Sequence, residues 1–255
     1  MVRKIFICLL PIAVFAVGNV SAQTDKYRNS ANYGKTLGLF GGSYTVINAS
    51  HIVTDMWRDI LGLSVTNYGA MGFGFTWSRG IQGRVDESNI YDIYVLWAST
   101  NDFLNNVPIG SPDDYTEIDF FVNESRKSQN GGINYCVKAL REKAPNCKIF
   151  FISSLPLYIK TDGVSDTVRN ELGLTIFDYC VGQKQTCLRA GIDFLPLYTK
   201  DYYNKDNYDE FFNADNIHLN ERGYGKIAND ILDFIAESGK INMSIRNIGG
   251  GCPRT

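Results

Sequence analysis

Histidine is nearly absent from this chain, which contains two in 255 residues. No two of its six cysteines are spaced as CxxC, so the usual ligand pattern of a structural zinc site is missing. The glycines of NYGAMGFG, residues 67–74, follow the order GxxGxG, which is not the dinucleotide fingerprint, and no GK[ST] follows them. These absences predict a protein that uses neither a metal nor another cofactor.

A strong excess of charge is also missing, because 25 Lys and Arg residues face 27 Asp and Glu residues, for a formal net charge of −2. Nucleic acids and anionic membranes are bound mainly by basic surfaces, so we expect neither as a partner. A hydrophobic share of 44% and a charged share of 20% are typical of an ordinary globular protein.

Long apolar runs are confined to the N-terminus. MVRK is short and basic, IFICLLPIAVFAVG is apolar, and NVSAQ offers small residues for cleavage after Ala22. The alternative, a membrane anchor, needs about 20 apolar residues, and Pro11, Asn19 and Ser21 interrupt this stretch. We therefore predict a signal peptide at 1–22 and an exported chain that is secreted or periplasmic, without stable membrane insertion after cleavage.

Five cysteines remain beyond the predicted cleavage point, and an odd number leaves at least one without an intramolecular partner. Cys180 and Cys187 lie in a predicted helix, where seven residues rise about 10.5 Å, too far for a disulfide. They can pair only if the helix breaks between them, and Gly182 permits such a break. The sequence leaves the pairing open.

What is present is an alternation of strands and helices. Apolar stretches predict strands at 36–43, 64–69, 91–100, 147–156 and 191–198. Helical patterns fall at 49–62, 131–145, 167–190 and 220–238, and the first places Ile52, Met56, Ile60 and Leu63 on its core face. This order predicts an α/β three-layer sandwich with a mostly parallel sheet, in a single domain over 23–255. Ligands bind such sheets beyond the carboxyl ends of the strands.

Two long stretches, 103–130 and 199–214, interrupt this alternation, and both are rich in Tyr and Phe. Long connections that follow strand ends are often functional. Their aromatic residues fit either a substrate-facing rim or a packed cover over the end of the sheet.

Ser43, in LGLFGGSYTV, stands at the carboxyl end of the first predicted strand. A serine nucleophile needs a base, an acid that orients the base, and donors for an oxyanion. His218 precedes the last predicted helix, and Asp215 lies three residues earlier, close enough in a turn to reach the imidazole Nδ1. His51, at the start of the first helix, is expected to be a capping or surface residue.

Two further strand ends supply donors for an oxyanion. Gly69 offers a backbone N–H that a substrate can approach, and Asn101 offers a side-chain amide. Each alone fits ordinary turn chemistry. Together with Ser43 and His218, however, they predict four functional groups at one edge of the sheet.

In this order of residues the chain resembles the SGNH hydrolases, the GDSL-type esterases and lipases, over roughly 35–238. The family's G-D-S block matches Gly41–Ser43, its second glycine matches Gly69, its G-x-N-D block matches Ser99–Asp102, and its D-x-x-H block matches Asp215–His218. The resemblance implies a flavodoxin-like, mostly parallel five-stranded sheet with helices on both faces.

The resemblance also implies roles for individual residues. Ser43 would be the nucleophile, His218 the base and Asp215 the residue that orients it. The Ser43 N–H, the Gly69 N–H and the Asn101 amide would form the oxyanion hole.

Two positions depart from the family pattern. Gly42 replaces the aspartate of the first block, and Ser99 replaces the glycine of the third. The first change is expected to loosen the hydrogen bonding around the serine turn. The second is expected to narrow the site or to reorient Asn101.

These features predict an exported, metal-independent serine ester hydrolase, with an acylated carbohydrate as the leading substrate class. A lipase or lysophospholipase is the alternative within the family. A glycan-binding protein without catalysis, on the same fold, is the alternative from another class. The sequence leaves open the acyl group, the alcohol and the oligomeric state.

Overall fold

A computed structural model describes residues 26–76, 80–116, 127–157, 168–200, 202–204 and 206–237. Its strands are β1 Thr36–Gly41, β2 Ser64–Asn67, β3 Ile93–Trp97, β4 Lys148–Ile152 and β5 Asp193–Leu195. All neighbours pair in parallel, in the order β2-β1-β3-β4-β5. This is the flavodoxin-like order, so the predicted fold class is confirmed. The predicted signal peptide at 1–22 lies outside the described residues.

Helices cover both faces of the sheet. They are α1 His51–Leu61, α2 Gly80–Glu87, α3 Asn101–Leu104, α4 Gln129–Lys143, α5 Ile176–Ala190, α6 Tyr208–Phe211 and α7 Glu221–Ala236. Side chains of α1 and α7 share one core cluster with the inward residues of β1, β3 and β4, whereas α2, α4 and α5 contribute to a second cluster on the opposite face. The alternation of side chains along each strand separates the two clusters.

The central strand β3 is buried at every residue, which explains its continuous apolar sequence IYVLW. Helix α1 is where the predicted core face was shifted. Val53, Trp57 and Leu61 are its fully buried apolar residues, whereas the predicted Ile52, Met56 and Ile60 are partly buried against them. The predicted Leu63, just beyond the helix, is buried in the same cluster as expected. The wide apolar stripe allowed either set to face inward, and the large Trp57 ring takes the position with the greatest burial.

Helix α5 continues without a break through Gly182, so Cys180 and Cys187 do not pair and both are free. The glycine serves packing, because a Cβ at this position would lie 2.5 Å from Ile109 Cγ2. Cys136 and Cys147 are also free, and Cys252 lies outside the described residues.

Most of the described part of 199–214 packs against the core as a cover, and it does not form a substrate-facing rim. Tyr203, Tyr208, Phe211 and Phe212 are buried and belong to the core cluster on the α1 and α7 face. Their rings pack against one another, with the Tyr208 and Phe212 rings stacked at 3.9 Å between centroids. Among the described residues, no helix combines the length and the apolar character that a membrane span requires.

Candidate active site

Ser43 begins a 3₁₀ turn directly beyond β1. The turn Ser43–Thr45 follows Gly42, whose carbonyl oxygen accepts hydrogen bonds from the Thr45 N–H at 3.1 Å and the Thr45 hydroxyl at 2.8 Å. The side chain of Thr45 therefore fixes the turn that presents the serine. Ser43 retains 5% of its accessible surface, so the residue is largely buried in this turn.

Asp215 and His218 lie in a tight turn between α6 and α7. The Asn213 N–H donates to the His218 carbonyl oxygen at 2.7 Å, and Phe212 and Leu219 form an antiparallel bridge that closes the turn. Asn216 adopts a left-handed conformation with φ of 58°, which asparagine tolerates better than most residues. This local geometry brings the aspartate back to the imidazole, as the three-residue spacing predicted.

A continuous chain of hydrogen bonds joins the three side chains. His218 Nδ1 lies 2.7 Å from Asp215 Oδ2, and His218 Nε2 lies 2.7 Å from Ser43 Oγ. When Nδ1 carries the proton and donates it to the carboxylate, Nε2 is free to accept the hydroxyl proton of the serine. The imidazole ring also packs in a T-shaped arrangement with the buried Tyr44 ring, at 6.2 Å between centroids.

The second oxygen of Asp215 is held by the backbone. Asp215 Oδ1 accepts the N–H groups of Ile217 and His218, each at 2.9 Å. Partial burial works to raise the pKa of Asp215, but the backbone and side-chain hydrogen bonds from His218 and the Ile217 N–H outweigh it, so the pKa lies below its usual value. Asp215 is thereby kept ionised and oriented.

The three expected oxyanion donors differ in their surroundings. Among the described residues, the Ser43 N–H has no acceptor. The Gly69 N–H donates to Asn67 Oδ1 at 2.9 Å, and the Asn101 amide nitrogen lies 2.9 Å from both the Phe73 carbonyl oxygen and Ser99 Oγ. Two of the three expected donors are therefore engaged within the protein.

The side chain of Thr45 packs so close to position 69 that only a glycine fits there. A Cβ at Gly69 would lie 1.7 Å from Thr45 Oγ1, so the loop after β2 can approach the serine turn only through a glycine. Asn67 bridges the same two segments, because its amide donates to the Thr45 carbonyl oxygen at 2.6 Å. The loop and the turn are thus fixed against each other.

Sequence reasoning gave Asp102 no role, yet it supports the loop that follows Gly69. Its carboxylate is 2% exposed and accepts the N–H of Phe75 at 2.8 Å and the N–H of Thr76 at 3.3 Å. Its match to the aspartate of the family's G-x-N-D block was the available signal. Its burial depends on how the loop packs, which the sequence does not reveal.

The second histidine lies apart from this site. His51 is exposed at the start of α1, where its Nδ1 contacts the Asn48 carbonyl oxygen, as expected for a capping or surface residue. The described part of the chain contains no group of three or more His, Cys, Asp or Glu residues that could hold a metal ion.

The model of the GDSL-like lipase/acylhydrolase family matches residues 31–226, a span that includes Ser43, Gly69, Asn101, Asp215 and His218. The chain belongs to this family. No curated protein matches this chain significantly in sequence.

Solved structures share its fold. A protein from Lactobacillus plantarum is 20% identical, with a TM-score of 0.67 over 80% of this chain and 97% of that one. A possible lipase from Chitinophaga pinensis is 18% identical, with a TM-score of 0.62 over 80% and 99% of the two chains. A catalytic mutant of an acetylxylan esterase from Geobacillus stearothermophilus is 15% identical, with a TM-score of 0.53 over 81% and 96%.

Exposed apolar side chains accompany the three segments that carry the expected oxyanion donors. Val46, Met71 and Leu104 follow Ser43, Gly69 and Asn101 by two or three residues, and all three are among the exposed large hydrophobic residues.

Proposed function

We propose that this acylhydrolase cleaves carboxylic esters with Ser43 as nucleophile. His218 removes the hydroxyl proton as Ser43 Oγ attacks the ester carbonyl, and Asp215 holds the imidazole in the productive tautomer. The imidazolium then gives its proton to the departing alcohol oxygen. Water, activated by the same imidazole, hydrolyses the acyl-enzyme and restores the serine.

One observation carries this proposal, namely the pair of 2.7 Å contacts from Ser43 to His218 and from His218 to Asp215. The serine and the histidine come from opposite ends of the chain, so a chance alignment of hydroxyl, imidazole and carboxylate in this order is improbable. The Ser43 N–H, the Gly69 N–H and the Asn101 amide are the donors that we propose for the oxyanion.

For the substrate, we propose an acylated carbohydrate. A structure with the same fold is that of an acetylxylan esterase, which supports a short acyl group on a sugar. The aromatic residues of 199–214 no longer support this assignment, because most of those described are buried in the core.

A lipase-type substrate is the second candidate, and the exposed Val46, Met71 and Leu104 favour it. Nitrophenyl esters of graded acyl length distinguish the two. A sugar-ester hydrolase should prefer acetate, whereas a lipase should gain in kcat/KM as the acyl chain lengthens.

The hydrolytic function itself is tested by comparing Ser43→Ala with the wild type on nitrophenyl acetate. Loss of the nucleophile should abolish turnover while leaving Tm unchanged. Peptide mapping after treatment with an organophosphonate should place the adduct on Ser43. An adduct on Ser153 or Ser154, which are fully buried near the end of β4, would contradict the assignment.

Glycan binding without turnover is the outcome that would favour a binding protein. It would appear as saturable binding of acetylated glycans by a wild type that hydrolyses no ester. Retention of the complete hydrogen-bonded chain at Ser43 argues for hydrolysis.

We also propose that the protein is exported after removal of residues 1–22 and that it functions as a single domain over 23–255. The apolar run and the small residues before Gln23 support cleavage there. N-terminal sequencing of the secreted or periplasmic protein should begin at or near Gln23. A chain that still begins at Met1 would contradict export.

A further inference from the structure

The two positions at which the chain departs from its family meet in the structure. Gly42 and Ser99 follow neighbouring strands, where Gly41 of β1 pairs in register with Trp97 of β3. A Cβ at Gly42 would lie 2.7 Å from Ser99 Cβ, 2.8 Å from Ser99 Oγ and 2.6 Å from the Phe73 carbonyl oxygen. Real Cβ atoms essentially never approach neighbours within 3.0 Å, so Ser99 occupies space that a side chain at position 42 would need.

Crowding, rather than backbone conformation, imposes the glycine. Gly42 has φ of −86° and ψ of −150°, an extended conformation outside the left-handed region. Because φ is negative, the left-handed conformation that favours glycine is not the reason for this residue. The aspartate of the family pattern is therefore excluded here by its neighbours alone.

The hydroxyl of Ser99 is joined to Asn101. Ser99 Oγ accepts the Asn101 amide at 2.9 Å and the Asn101 N–H at 3.3 Å, and it donates to the Phe73 carbonyl oxygen at 2.8 Å. The same carbonyl oxygen also accepts the Asn101 amide at 2.9 Å. Ser99 thus fixes both the amide and its other acceptor.

We propose that the two departures are one exchange, in which Ser99 positions the Asn101 amide and Gly42 provides the space that this serine requires. Ser99 is then a positioning residue that acts on the oxyanion through Asn101. This part of the inference rests on the proposed function, whereas the steric exchange between Gly42 and Ser99 does not.

The positioning role is tested with Ser99→Ala, which keeps the Cβ and removes the hydroxyl. Loss of one hydrogen bond should lower kcat about tenfold with KM unchanged, because the amide is no longer held for the transition state. In an Asn101→Ala background the same change should have no further effect on kcat. An equal loss of kcat in that background, or a change confined to KM, would overturn the positioning role.

The exchange is tested with Gly42→Asp, Ser99→Gly and the double variant, using Tm as the readout. Gly42→Asp should lower Tm by about 5 °C or more through overpacking, and adding Ser99→Gly should recover part of that loss. Gly42→Ala, which adds only the Cβ, replaces Gly42→Asp if the latter does not fold. Shifts in Tm that simply add would overturn the exchange.

These readouts separate the two proposals. A wild type without esterase activity, but with Tm rescue in the double variant, would refute the proposed function and the positioning role while supporting the exchange. Normal hydrolysis with additive Tm shifts would refute the exchange alone.

Discussion

Two parts of the site are built differently: the base side, which is formed by Asp215 and His218, and the donor side, which is formed by the expected oxyanion donors at Ser43, Gly69 and Asn101. On the base side, His218 has one partner on each ring nitrogen, and both contacts point along the proposed path of the proton. On the donor side, the Gly69 N–H and the Asn101 amide donate to protein oxygens instead. Of the three expected oxyanion donors, only the Ser43 N–H has no acceptor among the described residues.

This difference has an energetic consequence. The proposed proton transfer needs no rearrangement of side chains, whereas donation to an oxyanion by Asn101 must replace or share an existing hydrogen bond. The replaced acceptors are neutral, and a developing oxyanion forms stronger hydrogen bonds than a neutral oxygen. The donor side is therefore expected to favour the transition state over the ground state, which is the discrimination that raises kcat.

The largest effect is expected from Asp215→Asn. The asparagine oxygen can still accept the N–H groups of Ile217 and His218, so the turn is preserved. Its amide would then donate to His218 Nδ1 and leave Nε2 protonated, the wrong tautomer for a base. We expect kcat to fall about 10⁴-fold while the protein stays folded, with at most a small decrease in Tm.

Glu221→Gln, which alters an exposed acid at the start of α7, is the control and should keep full activity. A loss of less than about tenfold in Asp215→Asn would remove the aspartate from the mechanism.

Asn101→Ala should have the next largest effect. Removal of one oxyanion donor lowers kcat by about 10² to 10³ and leaves KM nearly unchanged. Asn105→Ala removes another amide just beyond the same short helix, where it donates to the Asn101 carbonyl oxygen at 2.7 Å, and should retain most activity. A rise in KM at constant kcat would instead place Asn101 in substrate binding.

A smaller effect, on stability, is expected from Asp102→Asn. The change weakens hydrogen bonds from the Phe75 and Thr76 N–H groups to a buried carboxylate. We expect the free energy of unfolding to fall by about 1.5–3 kcal/mol, measured by urea denaturation.

Asp113→Asn is the matched control for this measurement, because it alters an exposed carboxylate whose ion pair with Arg189 spans 2.6 Å. Exposed pairs contribute about 0–1 kcal/mol. Equal effects of the two substitutions would show that Asp102 does not support the loop.

The smallest effect concerns pH. Because the pKa of Asp215 is lowered in the folded protein, its ionised form stabilises the fold at neutral pH, and this contribution is lost as pH falls through the acidic range toward that lowered pKa. The side chain is 45% exposed, so we expect less than about 1 kcal/mol. The stability of the wild type relative to Asp215→Asn should therefore decline in acid, and a difference independent of pH would contradict this.

Local spacing in the sequence was enough to predict much of this protein. Apolar strand patterns alternate with helical patterns in the sequence, and each is recognised by the spacing of its apolar residues. This alternation predicted a parallel sheet whose strands are connected by helices. The three residues from Asp215 to His218 predicted a contact that forms within one turn. The position of Ser43 directly after a strand predicted that it lies at the edge of the sheet formed by the carboxyl ends of the strands, because parallel strands all end at that edge.

Contacts between distant segments were decided only by the tertiary structure. The burial of the aromatic residues in 199–214, the burial of Asp102 and the choice of Trp57 for the core depend on which surfaces pack together. Gly42 and Ser99 stood in the sequence as two separate departures from a family pattern. A Cβ at Gly42 would lie 2.7 Å from Ser99 Cβ because β1 and β3 lie side by side, and such proximity arises from strand pairing rather than from any local preference of either residue.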